Sequence, residues 1–221
     1  MLEWLKGFGK FTLGLLVVFV LLAAGSKAYI LYQARSFADP RTAANVTMEN
    51  FLSFKFGDSY ESVCKVMGGE GTVLDANLLG GEDGFTVKWS GGVKGLQPRY
   101  IILSFNNLKR LDNKIQVGLG ERAETAAGAY KNIDLGISLD TACRLAGSAG
   151  SLDAAVSAAY GYGEPSEDQY ENVSLMMYTW KNGWGNGFQL SFFEGRLIRK
   201  RKICFGYLDN YKLIEMLGYV F

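Results

Sequence analysis

Slid against itself by 79 residues, the sequence repeats. Gly57-Asp58-Ser59-Tyr60-Glu61-Ser62-Val63-Cys64-Lys65-Val66-Met67-Gly68 falls on Gly136-Ile137-Ser138-Leu139-Asp140-Thr141-Ala142-Cys143-Arg144-Leu145-Ala146-Gly147. Gly, Ser, Cys and Gly are identical, while Glu61, Ser62, Lys65 and Val66 exchange for Asp140, Thr141, Arg144 and Leu145. A pattern carried twice points to one folding unit used twice. Each window reads as a short helix that Ser59 or Ser138 caps at its start and Gly68 or Gly147 ends. Tyr60, Val63, Cys64 and Met67 share its apolar face, and Glu61 with Lys65, or Asp140 with Arg144, is expected to pair on the exposed face. Upstream, Phe51, Phe54, Phe56 and Gly57 fall on Tyr130, Ile133, Leu135 and Gly136, which adds a first short helix to each unit.

Downstream both copies become strand-like. Phe85-Thr86-Val87-Lys88-Trp89 alternates, as does Tyr178-Thr179-Trp180, and the extended runs Ile101-Ile102-Leu103-Ser104-Phe105 and Phe188-Gln189-Leu190-Ser191-Phe192 follow. Their shared Leu-Ser-Phe fixes the alignment. The second copy carries an insertion of about twelve residues around 158–170, with Gly161, Gly163 and Pro165 marking a loop.

Residues 11–25 form an apolar run preceded by Lys6 and Lys10, which marks a membrane signal. Two readings stand. Ser26-Lys27-Ala28 offers a cleavage site, and the apolar run has the length of a signal peptide's core. Apolar character resumes at Ala28-Tyr29-Ile30-Leu31-Tyr32, so an uncleaved helix over 11–32 spans roughly 30 Å, and this is the favoured reading. The organisation expected is an anchor over 1–36, a linker over 37–47, and units over 48–125 and 126–221. The body is expected outside the cytoplasm, at the periplasm or cell surface; cleavage near Ala28 makes it a secreted protein instead.

Charge nearly cancels, with 23 Lys plus Arg against 22 Asp plus Glu, so nothing global recommends a nucleic-acid partner. The absence of histidine removes the commonest general base and metal ligand. Cys64, Cys143 and Cys204 are too few for a disulfide framework; Cys64 and Cys143, on apolar helix faces, read as buried and unpaired. Ser62-Val63-Cys64-Lys65 fits Ser-x-x-Lys without the companion motifs of a serine acyl enzyme, and Gly68-Gly69-Glu70-Gly71 lacks the Lys of a phosphate loop. No catalytic residue, cofactor or metal site is assigned, and the chain is expected not to be an enzyme.

The order aromatic-x-x-apolar-x-apolar-Gly, x-Ser-x-acid-x-x-apolar, Gly, then strands ending in Trp and near Phe-x-x-Gly, resembles the modules of beta-lactamase inhibitory protein. It is also similar to the small lipoprotein of the outer-membrane barrel assembly machinery, which has one such module. The likeness runs over 48–208. It implies an α+β fold of two tandem modules, each two short helices on a four-stranded antiparallel sheet, and a concave sheet surface that grips another protein. This chain departs from the inhibitor in placing Cys64 and Cys143 within the capped helices. The protein-binding, inhibitory reading leads; an envelope assembly or scaffolding factor is the alternative.

Alternation sets the faces. Phe85, Val87 and Trp89 share one side, so Trp89 and Trp180 are expected beneath the helices, as core. The opposite side displays Lys88, Tyr100 and Ile102 from the first copy and Met177, Gln189 and Phe193 from the second, with Trp184 on the adjoining loop; these are the candidate protein-binding residues. The competing reading is a sheet face covered by the chain's own linker. Arg196, Arg199, Lys200, Arg201 and Lys202, with Lys109, Arg110 and Lys114 in the first copy, read as a solvated edge that discourages aggregation, or else as a patch for acidic lipid or protein.

Overall fold

Helix caps and alternating strands give the elements their bounds. The computed structural model describes residues 39–74, 84–94, 97–120, 123, 125–126, 128–159, 165–181 and 186–203, and isolated positions 25, 28, 29 and 32. In chain order these hold α1 (Pro40–Ala43), α2 (Met48–Ser53), α3 (Tyr60–Met67), β1 (Thr72–Leu74), β2 (Phe85–Lys94), β3 (Gln97–Phe105) and β4 (Leu111–Val117). There follow α4 (Ala129–Asn132), α5 (Leu139–Ala146), β5 (Ser151–Ser157), α6 (Glu167–Glu171), β6 (Val173–Lys181), β7 (Gly187–Phe193) and β8 (Arg196–Ile203). The class is α+β. All eight strands form one antiparallel sheet in the order β1-β2-β3-β4-β5-β6-β7-β8. The four-stranded sheets expected of the two modules join edge to edge into one sheet, because β4 and β5 pair through Asn113–Val156, Lys114–Ala155 and Ile115–Ala154.

Among the described residues no helix is long and apolar enough to cross a membrane. The expected anchor lies almost wholly outside them, as does Cys204.

The caps form as the sequence dictates. Ser59 Oγ accepts from Ser62 N at 3.2 Å and Ser138 Oγ from Thr141 N at 3.3 Å. Gly68 (φ 77°) and Gly147 (φ 81°) close α3 and α5 in the left-handed region, where a side chain is strained. The expected Glu61–Lys65 and Asp140–Arg144 ion pairs do not form among the described residues. Water solvates these charges as well as they would solvate each other.

The helices cover one face of the sheet. Phe51, Val63 and Met67 pack there with Val87, Trp89, Ile101, Leu103 and Phe105, and Ile133, Ala142 and Ala146 pack with Trp180, Phe188, Leu190 and Phe192. Both tryptophans are fully buried. Trp89 Nε1 donates to Gly69 O and Trp180 Nε1 to Ser148 O, each at 3.0 Å, the two acceptors again 79 residues apart. Only glycine fits beneath each ring: a Cβ on Gly71 would come within 2.8 Å of Trp89, and one on Gly150 within 2.7 Å of Trp180. Cys64 and Cys143, expected buried, are free thiols only half-buried at the margins of these clusters, because α3 and α5 are single surface helices whose rims stay wet.

Lysines complete the helix ends. Lys114 Nζ donates to the carbonyls of Phe51 (3.4 Å) and Phe54 (2.7 Å), and Lys200 Nζ to those of Tyr130 (3.3 Å) and Ile133. An ammonium at a helix C-terminus satisfies carbonyls that have no partner within the helix. Lys114 and Lys200 are thus not members of a solvated edge; Lys114 is buried and Lys200 half-buried. The insertion also departs from expectation, since it contains α6. Its Tyr170 Oη accepts from Asn106 Nδ2 at 2.6 Å and its ring lies against Gly57, so the inserted segment ties the second half to the first.

Candidate protein-binding face

The side of the sheet away from the helices carries a core of its own. Tyr100 and Ile102 on β3, Ile115 and Val117 on β4, Ala154 and Val156 on β5, and Leu175 and Met177 on β6 are buried together, with Leu74 beside them. Tyr100, Ile102, Met177 and Gln189, expected on an open surface, are 8%, 2%, 2% and 6% exposed. The middle strands are buried on both faces, which is why Tyr100-Ile101-Ile102-Leu103 reads as an unbroken apolar run. Two of the described candidates reach solvent. Lys88 is half-buried on β2, its Nζ 4.6 Å from the centre of the Tyr100 ring, and burial draws its pKa below the usual lysine range. Phe193, at the end of β7, is 42% exposed. Trp184 lies outside the described residues.

Polar groups on this face bind one another. Thr86 Oγ1 and Ser104 Oγ share a hydrogen bond of 3.0 Å between β2 and β3. Asp153 is the extra residue where the β5–β6 ladder slips between Leu152 and Ala154, and just beyond the last β4–β5 pair. The bulge turns its carboxylate into a buried cluster. Oδ1 accepts from Gln116 Nε2 at 3.0 Å, and Oδ2 from Thr179 Oγ1 and from Gln189 Nε2 at 3.4 Å. Burial raises the Asp153 pKa, against the opposing pull of Lys181 and these hydrogen bonds. Gln116 Oε1 in turn accepts from Leu119 N at 2.9 Å, so one network joins β4 to β5, β6 and β7. Gln189 holds the sheet together from within.

A second bulge places Asp112, the residue skipped between Ser104–Asn113 and Phe105–Leu111. Its carboxyl is buried, its Oδ1 accepts no hydrogen bond among the described residues, and burial pushes its pKa up to about 7. Neither acid was singled out from the sequence. A lone Asp inside an apolar strand, as in Leu152-Asp153-Ala154-Ala155-Val156, was the available signal. Among the described residues no three His, Cys, Asp or Glu side chains gather as they would around a metal ion.

A family model described as Beta-lactamase inhibitor (BLIP) matches residues 47–161, more than half of the 221-residue chain. A solved structure from Streptococcus mutans, described as a candidate beta-lactamase inhibitor protein, matches with a TM-score of 0.47 at 15% identity, over 71% of this chain and 94% of that one. No curated protein matches.

Proposed function

This chain belongs to the beta-lactamase inhibitor family, and from that membership we infer that it binds another protein, in the inhibitory manner the family's description names. The family match over 47–161 is the observation that carries the reading. We place the contact on the sheet face away from the helices. The helix face is fully committed to holding Trp89 and Trp180, whereas the far face presents Lys88 near one side and Phe193 near the other above a rigid apolar floor. Five strand spacings separate β2 from β7, about 24 Å, the breadth of a standard interface. Tyr100, Ile102, Met177 and Gln189 then act by fixing that floor, with Trp184 on the adjoining loop as a further contact. The two halves are read as two copies of one unit, a reading supported by their matching caps, indole hydrogen bonds and lysine contacts. The apolar run at 11–25 tethers the body outside the cytoplasm.

The test is a titration of the full-length chain, in neutral nanodiscs, against a panel of purified serine beta-lactamases with a chromogenic substrate. Saturable inhibition of at least one enzyme is expected, and Phe193→Ala is expected to weaken it by about 2 kcal/mol, roughly thirtyfold, with unchanged melting. Neither binding nor inhibition across the panel at micromolar concentration would contradict the inhibitory reading.

A further inference from the structure

β8 ends the sheet among the described residues, and its composition is lopsided. Five of the eight residues in RLIRKRKI are cationic and none is acidic, within a chain of net charge +1. Arg196, Arg199, Lys200 and Lys202 enter no ion pair among the described residues. The fold accounts for three of them. Arg196 Nη1 donates to Gly136 O at 3.3 Å, Lys200 caps α4, and Lys202 Nζ lies 5.3 Å from the centre of the Tyr130 ring. Among the described residues nothing accounts for Arg199, which is exposed and pairs in register with Ser191.

An exposed apolar residue adjoins it in sequence. The β7–β8 ladder slips between Ser191–Arg199 and Phe192–Leu197, leaving Ile198 as the bulged residue. Ile198 is 48% exposed. An edge defended only against aggregation needs its cations but has no use for an exposed Ile among them.

The molecule itself shows what such an edge accepts. Arg110 bridges to Ser59 and donates to Gly57 O, as Arg196 bridges to Ser138 and donates to Gly136 O. Lys114 caps α2 as Lys200 caps α4. β4 therefore holds in the first half the place that β8 holds in the second. The outer edge of β4 takes up β5 as an antiparallel neighbour, through Asn113 and Lys114 among others. Counted from the shared lysine, the corresponding residues of β8 are Arg199 and Lys200.

We propose that the outer edge of β8 is a second contact surface, which takes up an extended acidic segment of a partner protein as a ninth, antiparallel strand with a carboxylate opposite Arg199. Main-chain hydrogen bonds supply the affinity in such strand addition, while cross-strand charge and the exposed Ile198 select the segment. The surface is distinct from the far-face contact and does not depend on inhibitory activity. Anionic lipid or nucleic acid, drawn by charge alone, would need no strand register.

The experiment measures fluorescence anisotropy of a labelled peptide of alternating Glu and Val against the full-length chain in neutral nanodiscs. Its counterparts are the Lys–Val peptide and a Glu–Val peptide N-methylated at alternate backbone nitrogens. The Glu–Val peptide is expected to bind, and the other two not. Arg199→Glu should weaken binding about fivefold or more, with Arg199→Lys restoring most of it and the melting temperature unmoved, since cross-strand charge pairs act at this scale. Equal binding of the N-methylated peptide would reduce the edge to a charge patch and overturn the proposal. So would an unchanged affinity in Arg199→Glu, or binding to phosphatidylglycerol vesicles without binding to the peptide. Should Arg199→Glu shift the melt, the N-methylated peptide on the unaltered chain decides the matter.

Discussion

Replacing Trp180 or Trp89 with Ala is expected to lower the unfolding free energy by about 3–5 kcal/mol, a large part of the roughly 5–15 kcal/mol that holds a domain folded. Each indole is fully buried, and Trp180 stacks on Phe188 with ring centres 5.2 Å apart. Removing either leaves a cavity under the helices and strands a carbonyl, Gly69 O or Ser148 O, that has lost its donor. The glycine beneath each ring cannot close the gap, because it has no side chain to move. Urea titration followed by circular dichroism measures the loss. Partner binding should fall only as far as the folded fraction falls. A Trp180→Ala chain that melts like the parent would show that the tryptophans are not the centre of the core.

The second large effect is a pH dependence set by Asp112. Its pKa rises from an ordinary 3.8 to about 7 because burial penalises the charged form. Between those values the folded chain holds a proton that the unfolded chain has already lost. Stability should therefore be greatest near pH 4, decline as pH rises towards 7, and level off above it. A rise of about 3 in pKa corresponds to at most about 4 kcal/mol. Asp112→Asn is expected to flatten this decline, with stability gained at pH 8 relative to pH 4. Asp153, also raised by burial, acts in the same direction and keeps a residual slope. Urea midpoints taken across this range for both chains provide the check. A parent whose stability climbs from pH 4 to pH 7 would contradict the buried, protonated Asp112.

Local order was legible in the sequence where one physical rule acts alone. Ser59 and Ser138 cap because a hydroxyl three residues before a free N–H has one good use, and Gly68 and Gly147 stop helices because left-handed backbone suits glycine. Trp89 and Trp180 fell under the helices because the alternation in Phe85-Thr86-Val87-Lys88-Trp89 is unambiguous. The far face was harder to read. Alternation identifies which side chains share a face but is silent on whether the face is covered, and Tyr100, Ile102 and Met177 are buried. The joining of β4 to β5 rests on main-chain hydrogen bonds, which carry no side-chain signature. Lys114 and Lys200 looked like surface cations because the carbonyls they satisfy lie 60 to 70 residues away in sequence. Asp112 and Asp153 were missed because each sits at a bulge, where the two-residue period breaks.

The claim that a partner protein meets the far face is tested most directly by site-specific photo-crosslinking in the native membrane. A photoreactive phenylalanine analogue placed at Phe193 or at Lys88 probes that face, and one placed at Leu52 or Leu135, both exposed, probes residues of the helix layer. Adducts to one and the same protein from Phe193 and Lys88, and none from Leu52 or Leu135, are expected. Adducts from Leu52 or Leu135 alone would put the contact on the helices and contradict the account.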